Sequence, residues 1–338
     1  MTIDLSIVVP TYNENEDIIN FIKSYLVFSN SKTELIIVDD STDNTFNMIL
    51  DFIQKQEPCN IFAFKNPLDK GRCEARNYGI IKSKGEYVAL CNADNILPNN
   101  YLVNFYKKKK LNYDTISFRS HLVIKNKTTD LYLSFNENYK FFSDFFLYKE
   151  IIKKNSLVWT EGFIIKKDII VKSGGFPMVK NDSLHAGDDN SMILNIQKTG
   201  IEIKSIFCSN ISIKHVMPDE FEAYRSNRIG RGLGVPQIKY YIYKKSIKSI
   251  FLYLLLKHLY KIFFYILMPI HTIKNFLIMK PYSVNFSYSF QKFYYYFIQE
   301  NLLTMYGEWI QLYKITKNKL QNKKVLISYL GSINKDYD

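Results

Sequence analysis

The chain has 338 residues, 47% of them hydrophobic, with 26 Tyr and 25 Phe against 13 Gly and 9 Pro. That composition excludes long disordered tracts and leaves room for one large domain plus an appendage. The formal net charge of +13 suits anionic partners, but no nucleic-acid-reading motif accompanies it, so nucleic acid is not the expected ligand. Cys59, Cys73, Cys91 and Cys208 form no CxxC pair and read as reduced, mostly buried thiols of a cytosolic protein. No apolar signal segment opens the chain.

Leu5 to Pro10 is a short apolar run that reads as a buried strand. An amphipathic helix follows, with Ile18, Ile22, Tyr25 and Leu26 on one stripe. Leu35–Val38 is a second strand, then a helix passes through Met48, Ile49, Phe52 and Ile53. Ile61–Phe64 is a third strand, a helix begins near Arg72, and Tyr87–Leu90 is a fourth strand. Residues 121–158 show no clear period. Gly162–Ile165 reads as a strand, Ser173–Phe176 as a turn, and Asp188-Asp189 opens a helix that stops at Gly200. Ile211–His215 is the last strand. Strands alternating with helices predict an α/β fold with a doubly wound, mixed but mostly parallel sheet. Ligands of such sheets sit outside the carboxyl ends of the strands. Pro10-Thr11-Tyr12, Asp39-Asp40 and Asn92-Ala93-Asp94 each follow a strand directly, so three polar clusters converge on one edge.

Each cluster has a plain alternative. Asp94 can ligate a hard cation such as Mg2+ or Mn2+, with Asn92 giving a carbonyl or a hydrogen bond, or it can be a turn residue. One of Asp39 and Asp40 is expected to cap the next helix, leaving the other for a base or ribose. Lys70, Arg72 and Arg76 can offset phosphate charge or face solvent. Asp188-Asp189 can cap its helix or supply a general base. His215 can be a packed histidine or a second metal ligand.

The ordered segments Ser6–Glu14, Ile37–Asp43, Ala75–Gly79, Gly85–Tyr87, Asn92–Asp94, Gly174–Phe176 and Gly187–Asp189 resemble family 2 glycosyltransferases with the GT-A fold, over roughly residues 5–235. The resemblance implies an inverting glycosyltransferase that uses a nucleotide-diphospho-sugar and a divalent cation, Mn2+ or Mg2+. It implies that Pro10, Thr11, Tyr12 and Glu14 line the donor pocket and that Asp40 hydrogen-bonds the base. Arg76 and Asn77 would support the pocket and diphosphate, and the Asn92-Ala93-Asp94 tripeptide would lie at the donor. Asp94 matches the cation-bearing end of a DxD motif, and His215 a downstream histidine used at the metal. Asp189, with Asp188 beside it, matches the catalytic-base motif. Asn92 departs from the usual first Asp, and Asp188 stands where Glu is commoner.

Asp and Glu are frequent before residue 222 and rare after it. Arg225, Arg228 and Arg231 are spaced to form a basic stripe on a helix, similar to the family's Arg-bearing segment that faces the diphosphate, and Arg228 is the donor-binding candidate. Residues 246–279 are apolar but interrupted by lysine, histidine and proline. The expectation is a GT-A domain over 1–235 and a helical, membrane-interface region over 236–338, peripheral or monotopic at the cytosolic face. The expected acceptor is lipid-linked or a glycan. Two alternatives stand beside it: a polyprenyl-phosphate sugar synthase, and a non-catalytic sugar-nucleotide-binding or scaffold protein.

Overall fold

A computed structural model describes residues 2–56, 60–68, 71–124, 160–179, 184–217, 221–266, 270, 300–321 and 327–330. Lys70, Cys59, most of 121–158 and most of 267–299 lie outside them. The first half runs β1 (Leu5–Thr11), α1 (Asn15–Leu26), β2 (Thr33–Asp39), α2 (Thr45–Gln54), β3 (Ile61–Lys65), α3 (Arg72–Lys82) and β4 (Tyr87–Leu90). Then come β5 (Asn95–Ile96), α4 (Tyr101–Lys110), β6 (Thr115–Ile124), β7 (Phe163–Lys166), α5 (Lys167–Lys172) and β8 (Met178–Val179). The remainder is α6 (Asp188–Lys198), β9 (Ser205–Met217), α7 (Phe221–Gln237), α8 (Ile247–Ile266), α9 (Glu300–Leu320) and β10 (Ile327–Ser328).

Eight strands form one sheet in the order β3-β2-β1-β4-β7-β6-β9-β5. The pairings β1–β2, β1–β4, β2–β3 and β6–β9 are parallel, while β4–β7, β6–β7 and β5–β9 are antiparallel. The sheet is therefore mixed and mostly parallel, as expected. Its apolar runs follow from burial on both faces. Leu5, Ile7, Val9, Leu35 and Ile37 pack with α1, α2 and α4 through Phe21, Ile49 and Phe105. Val8, Ile36 and Val38 point the other way and pack with α3, α5 and α6 through Ile80, Ile170 and Met192. Each such fully buried side chain contributes about 1.5–3 kcal/mol of transfer free energy.

The C-terminal residues share that second core. Tyr241, Ile242, Ile315 and Leu330 belong to it, and β10 pairs antiparallel with β8. Helices α7 and α9 cross at backbone contact. A Cβ on Gly232 would lie 2.1 Å from the Thr304 carbonyl oxygen, and one on Gly307 would lie 2.3 Å from that of Ile229. Helix α8 rests on this pair by one stripe, Ile250, Leu254 and His258, four residues apart. His258 is fixed by chemistry: Trp309 Nε1–H donates to its Nδ1 at 2.9 Å. Its Nε2 therefore carries the proton and donates to the buried Glu308 at 2.6 Å, which also accepts from Lys257.

Much of the rest of α8 is open to solvent among the described residues. Phe251, Leu252, Tyr253, Leu256, Leu259, Tyr260, Ile262 and Phe263 are all exposed. This is the segment expected to be amphipathic. Among the described residues, no helix is long and apolar enough to cross a membrane.

Candidate active site

Sheet register assembles the site. β1 pairs with β2 as far as Thr11 with Asp39 and with β4 as far as Val8 with Leu90, so the residues after Thr11, Asp39 and Leu90 continue past the sheet into loops. The β1–α1 and β2–α2 loops are stitched together. Asn13, in a left-handed conformation at φ 55, donates its N–H to Ser41 Oγ at 2.8 Å and accepts from the Thr42 N–H at 3.0 Å. Thr11 carbonyl accepts from the Asp40 N–H at 3.0 Å. Tyr12 stands 56% exposed at this edge, where an aromatic face is open to stack.

Neither member of Asp39-Asp40 caps α2, contrary to expectation. The helix starts at Thr45, and Asp43 accepts its N–H at 3.0 Å. The physical reason is distance: four further residues, Ser41 to Asn44, separate the pair from the helix start. Asp39 is buried and accepts from Ser41 Oγ and Lys65. Asp40 Oδ2 accepts the Gly71 N–H at 2.9 Å, which ties β2 to the start of α3.

The antiparallel strands bring distant chain onto the Asn92–Asp94 loop. β5 pairs Asn95 with His215, and Val216 N–H donates to the Asp94 carbonyl at 2.8 Å. Consequently His215 Nε2 lies 2.9 Å from Asp94 Oδ2. β7 runs antiparallel to β4 with Phe163 opposite Leu90, so the residues preceding β7 overlie those following β4. That places Glu161 Oε1 2.8 Å from His215 Nδ1. Burial opposes a positive imidazole, but Asp94 and Glu161 outweigh it and hold His215 well above its ordinary 6.5. Glu14 is pushed up to about 8, first by burial and then by the Asp94 carboxylate. Asp94 and Glu161 thus share one imidazole, and Glu14 adds a third carboxyl group near Asp94.

Among the described residues, no three His, Cys, Asp or Glu side chains already form a metal cage. Asp94 and His215 nevertheless fit a hard cation. Such ions take few protein ligands and complete their shells with water and substrate phosphate, and the crowded carboxyls provide the charge.

The base side has the opposite balance. Arg76 is fully buried in α3. It donates to Asp188 Oδ2, to Asn92 Oδ1 at 2.6 Å and to Thr160 Oγ1 at 3.1 Å, and it lies 5.3 Å from the Phe176 ring centroid. Arg72 donates to both Asp188 oxygens, at 3.1 and 2.8 Å. The solvated-face reading of Arg76 is thereby excluded. Burial opposes ionisation of Asp188, but the two guanidinium groups outweigh it and lower its pKa. Gly187 precedes the pair at φ +77, a left-handed conformation that glycine adopts without steric cost. Asp189 is only half-buried, and its pKa is raised by burial and by Asp188. Asp188 is clamped, and Asp189 is the carboxylate left to face solvent.

Asn77 donates to the Phe176 carbonyl and accepts the Phe176 N–H, at 2.7 and 2.9 Å. Ala93 is buried within the loop. Of the proposed basic stripe, Arg228 is buried in α7 while Arg225 and Arg231 are exposed. The three still lie within about 120° of arc on α7, with the enclosed Arg228 between its two exposed neighbours. Thr160 and Glu161 were not expected at all. The only hint of them in the sequence is their place immediately before a strand.

Residues 6–172 match the family described as glycosyl transferase family 2. An uncharacterized glycosyltransferase of Haemophilus influenzae is 32% identical over 121 residues, 36% of this chain and 44% of that protein. A dolichyl-phosphate beta-glucosyltransferase of Dictyostelium discoideum is 34% identical over 99 residues, 27% of this chain and 30% of that protein. The chain thus spans less than half the length of these relatives. A solved mannosyltransferase from Pyrobaculum calidifontis, in complex with GDP-Man and Mn2+, shares the fold with a TM-score of 0.52. It is 19% identical, with 73% of this chain and 66% of that one covered.

Proposed function

We propose that this chain, which belongs to glycosyl transferase family 2 and has the GT-A fold, transfers a sugar with inversion from a nucleoside diphosphate to a hydroxyl of a lipid-linked or glycan acceptor. The observation that carries the reading is the divided acidic pair. Asp188 is held by Arg72 and Arg76, while Asp189 keeps a raised pKa at the site edge. Asp189 then accepts the proton of the acceptor hydroxyl. The hydroxyl oxygen attacks the anomeric carbon from the face opposite the leaving group. The bond from that carbon to the diphosphate breaks, and its electron pair leaves with the nucleotide. Pro10, Thr11, Tyr12, Glu14 and Ala93 line the donor pocket, Asp40 holds the base, and Arg228 acts on the diphosphate side. A divalent cation, Mn2+ or Mg2+, bound by Asp94 and His215 would offset the charge on the departing diphosphate. Asn92 serves the site through Arg76.

The acceptor is placed at the cytosolic face of a membrane, with residues 236–338 as the surface-seeking part. Residues 223–299 contain twelve Lys and Arg and no Asp or Glu, and α8 exposes a broad apolar face among them. Apolar area together with lysine suits an interface rich in anionic lipid. The similarity to a dolichyl-phosphate glucosyltransferase favours a second acceptor reading, a polyprenyl phosphate, which needs no strong base. Asp189→Asn separates the two. Donor binding with lost turnover on a hydroxyl acceptor supports the first reading, and retained turnover on polyprenyl phosphate supports the second.

A further inference from the structure

We propose that Glu161 is a positioning residue for the cation at Asp94, acting through His215, and that it supplies the second negative charge which Asn92 does not. The inference rests on the proposed cation site. Three observations carry it. First, Asn92 is engaged elsewhere: its Oδ1 accepts from Arg76 at 2.6 Å, so the usual first carboxylate position serves the base side. Second, Glu161 accepts at Nδ1 of His215, 2.8 Å away, which leaves Nε2 facing Asp94 Oδ2 at 2.9 Å. A histidine ligand needs such a partner, because the group on one ring nitrogen decides which nitrogen meets the metal and at what angle. Third, the chain is sheltered. The His215 and Glu161 side chains are 17% and 12% exposed, and Glu161 Oε2 is buried with no hydrogen-bond partner. A buried carboxylate oxygen without a donor is costly by itself. A dication held one imidazole away offsets its charge.

The arrangement comes from two antiparallel pairings, β4–β7 and β5–β9, that bring Glu161 and His215 onto the Asp94 loop from opposite sides. Asp94 and Glu161 then bracket a single imidazole. The site keeps two acidic groups, but the second acts at one remove, as an orienting partner.

The test is Mn2+ binding to the full chain without nucleotide, read from the free-ion EPR signal, for Glu161→Ala, Glu161→Gln and Asp94→Asn. Outer-shell partners of this kind are worth about 10–100-fold in metal affinity. Glu161→Ala is expected to lose that much. Glu161→Gln should recover part of it, because an amide oxygen still accepts the Nδ1 proton although the negative charge is gone. A side chain that merely packs would show no such order. If the alanine variant fails to fold, Glu161→Met fills the volume without accepting and takes its place. Affinity within twofold of the parent in Glu161→Ala, with binding lost in Asp94→Asn, overturns the inference while the cation site stands. Equal losses in Ala and Gln overturn the positioning role. Unchanged binding in Asp94→Asn removes the cation site itself, and this inference with it.

Discussion

The two acidic clusters of the site are built from the same residue types and end in opposite states. Around Asp94, two carboxyl groups share one histidine, and Glu14 nearby is driven towards protonation. Around Asp188, two arginines share one carboxylate, and it is driven towards ionisation. One cluster has room for an added cation, while the other already contains its own. The difference teaches that the role of an aspartate here is set by the countercharge the fold delivers to it. Both clusters meet at Arg76, which touches Asp188 on one side and Asn92 on the other.

The comparison breaks most sharply at Asp189. Asp189→Asn is expected to lower turnover about 10^2–10^4-fold, the usual worth of a general base, and to leave donor affinity unchanged by calorimetry. A turnover near that of the parent would remove the division of labour within the pair.

Next in size is the clamp. Arg76→Met leaves Asp188 with only the half-exposed Arg72, and breaking a buried pair costs about 3–5 kcal/mol. A melting point lowered by ~10 °C in calorimetry is the expected outcome. The pH dependence has a definite sign. Asp188 titrates below its ordinary 3.8 in the fold, so its contribution is complete above that value and is lost as pH falls through the folded pKa. Arg76→Met should therefore narrow its deficit in strong acid.

A smaller effect is expected on α8. Leu256→Glu with Leu259→Glu places charge on an exposed apolar face without touching the Ile250, Leu254 and His258 stripe. Flotation with anionic vesicles should fall roughly tenfold or more, at about 1.5–3 kcal/mol per apolar side chain withdrawn, while the melting point stays put. Equal flotation would leave that face without its proposed lipid partner.

Smallest is Glu14. Its folded pKa, about 8, lies above the ordinary 4.5, so the folded chain holds a proton that the unfolded chain loses between those values. Stability contributed by this group is complete below pH 4.5 and declines as pH rises towards 8. Glu14→Gln should raise the melting point in chelator by a few degrees at pH 8.5 and not at pH 4, about 2–4 °C per kcal/mol recovered.

Much of the sheet was legible because its central strands are buried on both faces. Ile7 and Val8, or Ile36 and Ile37, serve opposite cores, so the runs are apolar throughout and end where the loops begin. Asp94, His215 and Asp188-Asp189 were legible as candidates through ordered motifs. What joins them was not. Asp94 meets His215 across 121 residues and Arg76 meets Asp188 across 112, separations at which local spacing carries no information. Glu161 precedes a strand whose antiparallel pairing leaves no trace in a chain of mostly parallel units. The burial of Arg228 was hidden for a related reason. Spacing of three suggests one face, but α9 lies against α7 and only the packing decides which arginine is enclosed.

The crossing of α7 and α9 bears on how this chain can be recombined with its relatives. Gly232 and Gly307 forgo about 1 kcal/mol of helix propensity each so that two backbones can touch. Even alanine at either point would collide with a main-chain carbonyl, which has no rotamer to move aside. A chimera that borrowed its last hundred residues from a relative would need both halves of that glycine lock from the same parent. The natural splice point for such an exchange is therefore ahead of α7 and not behind it.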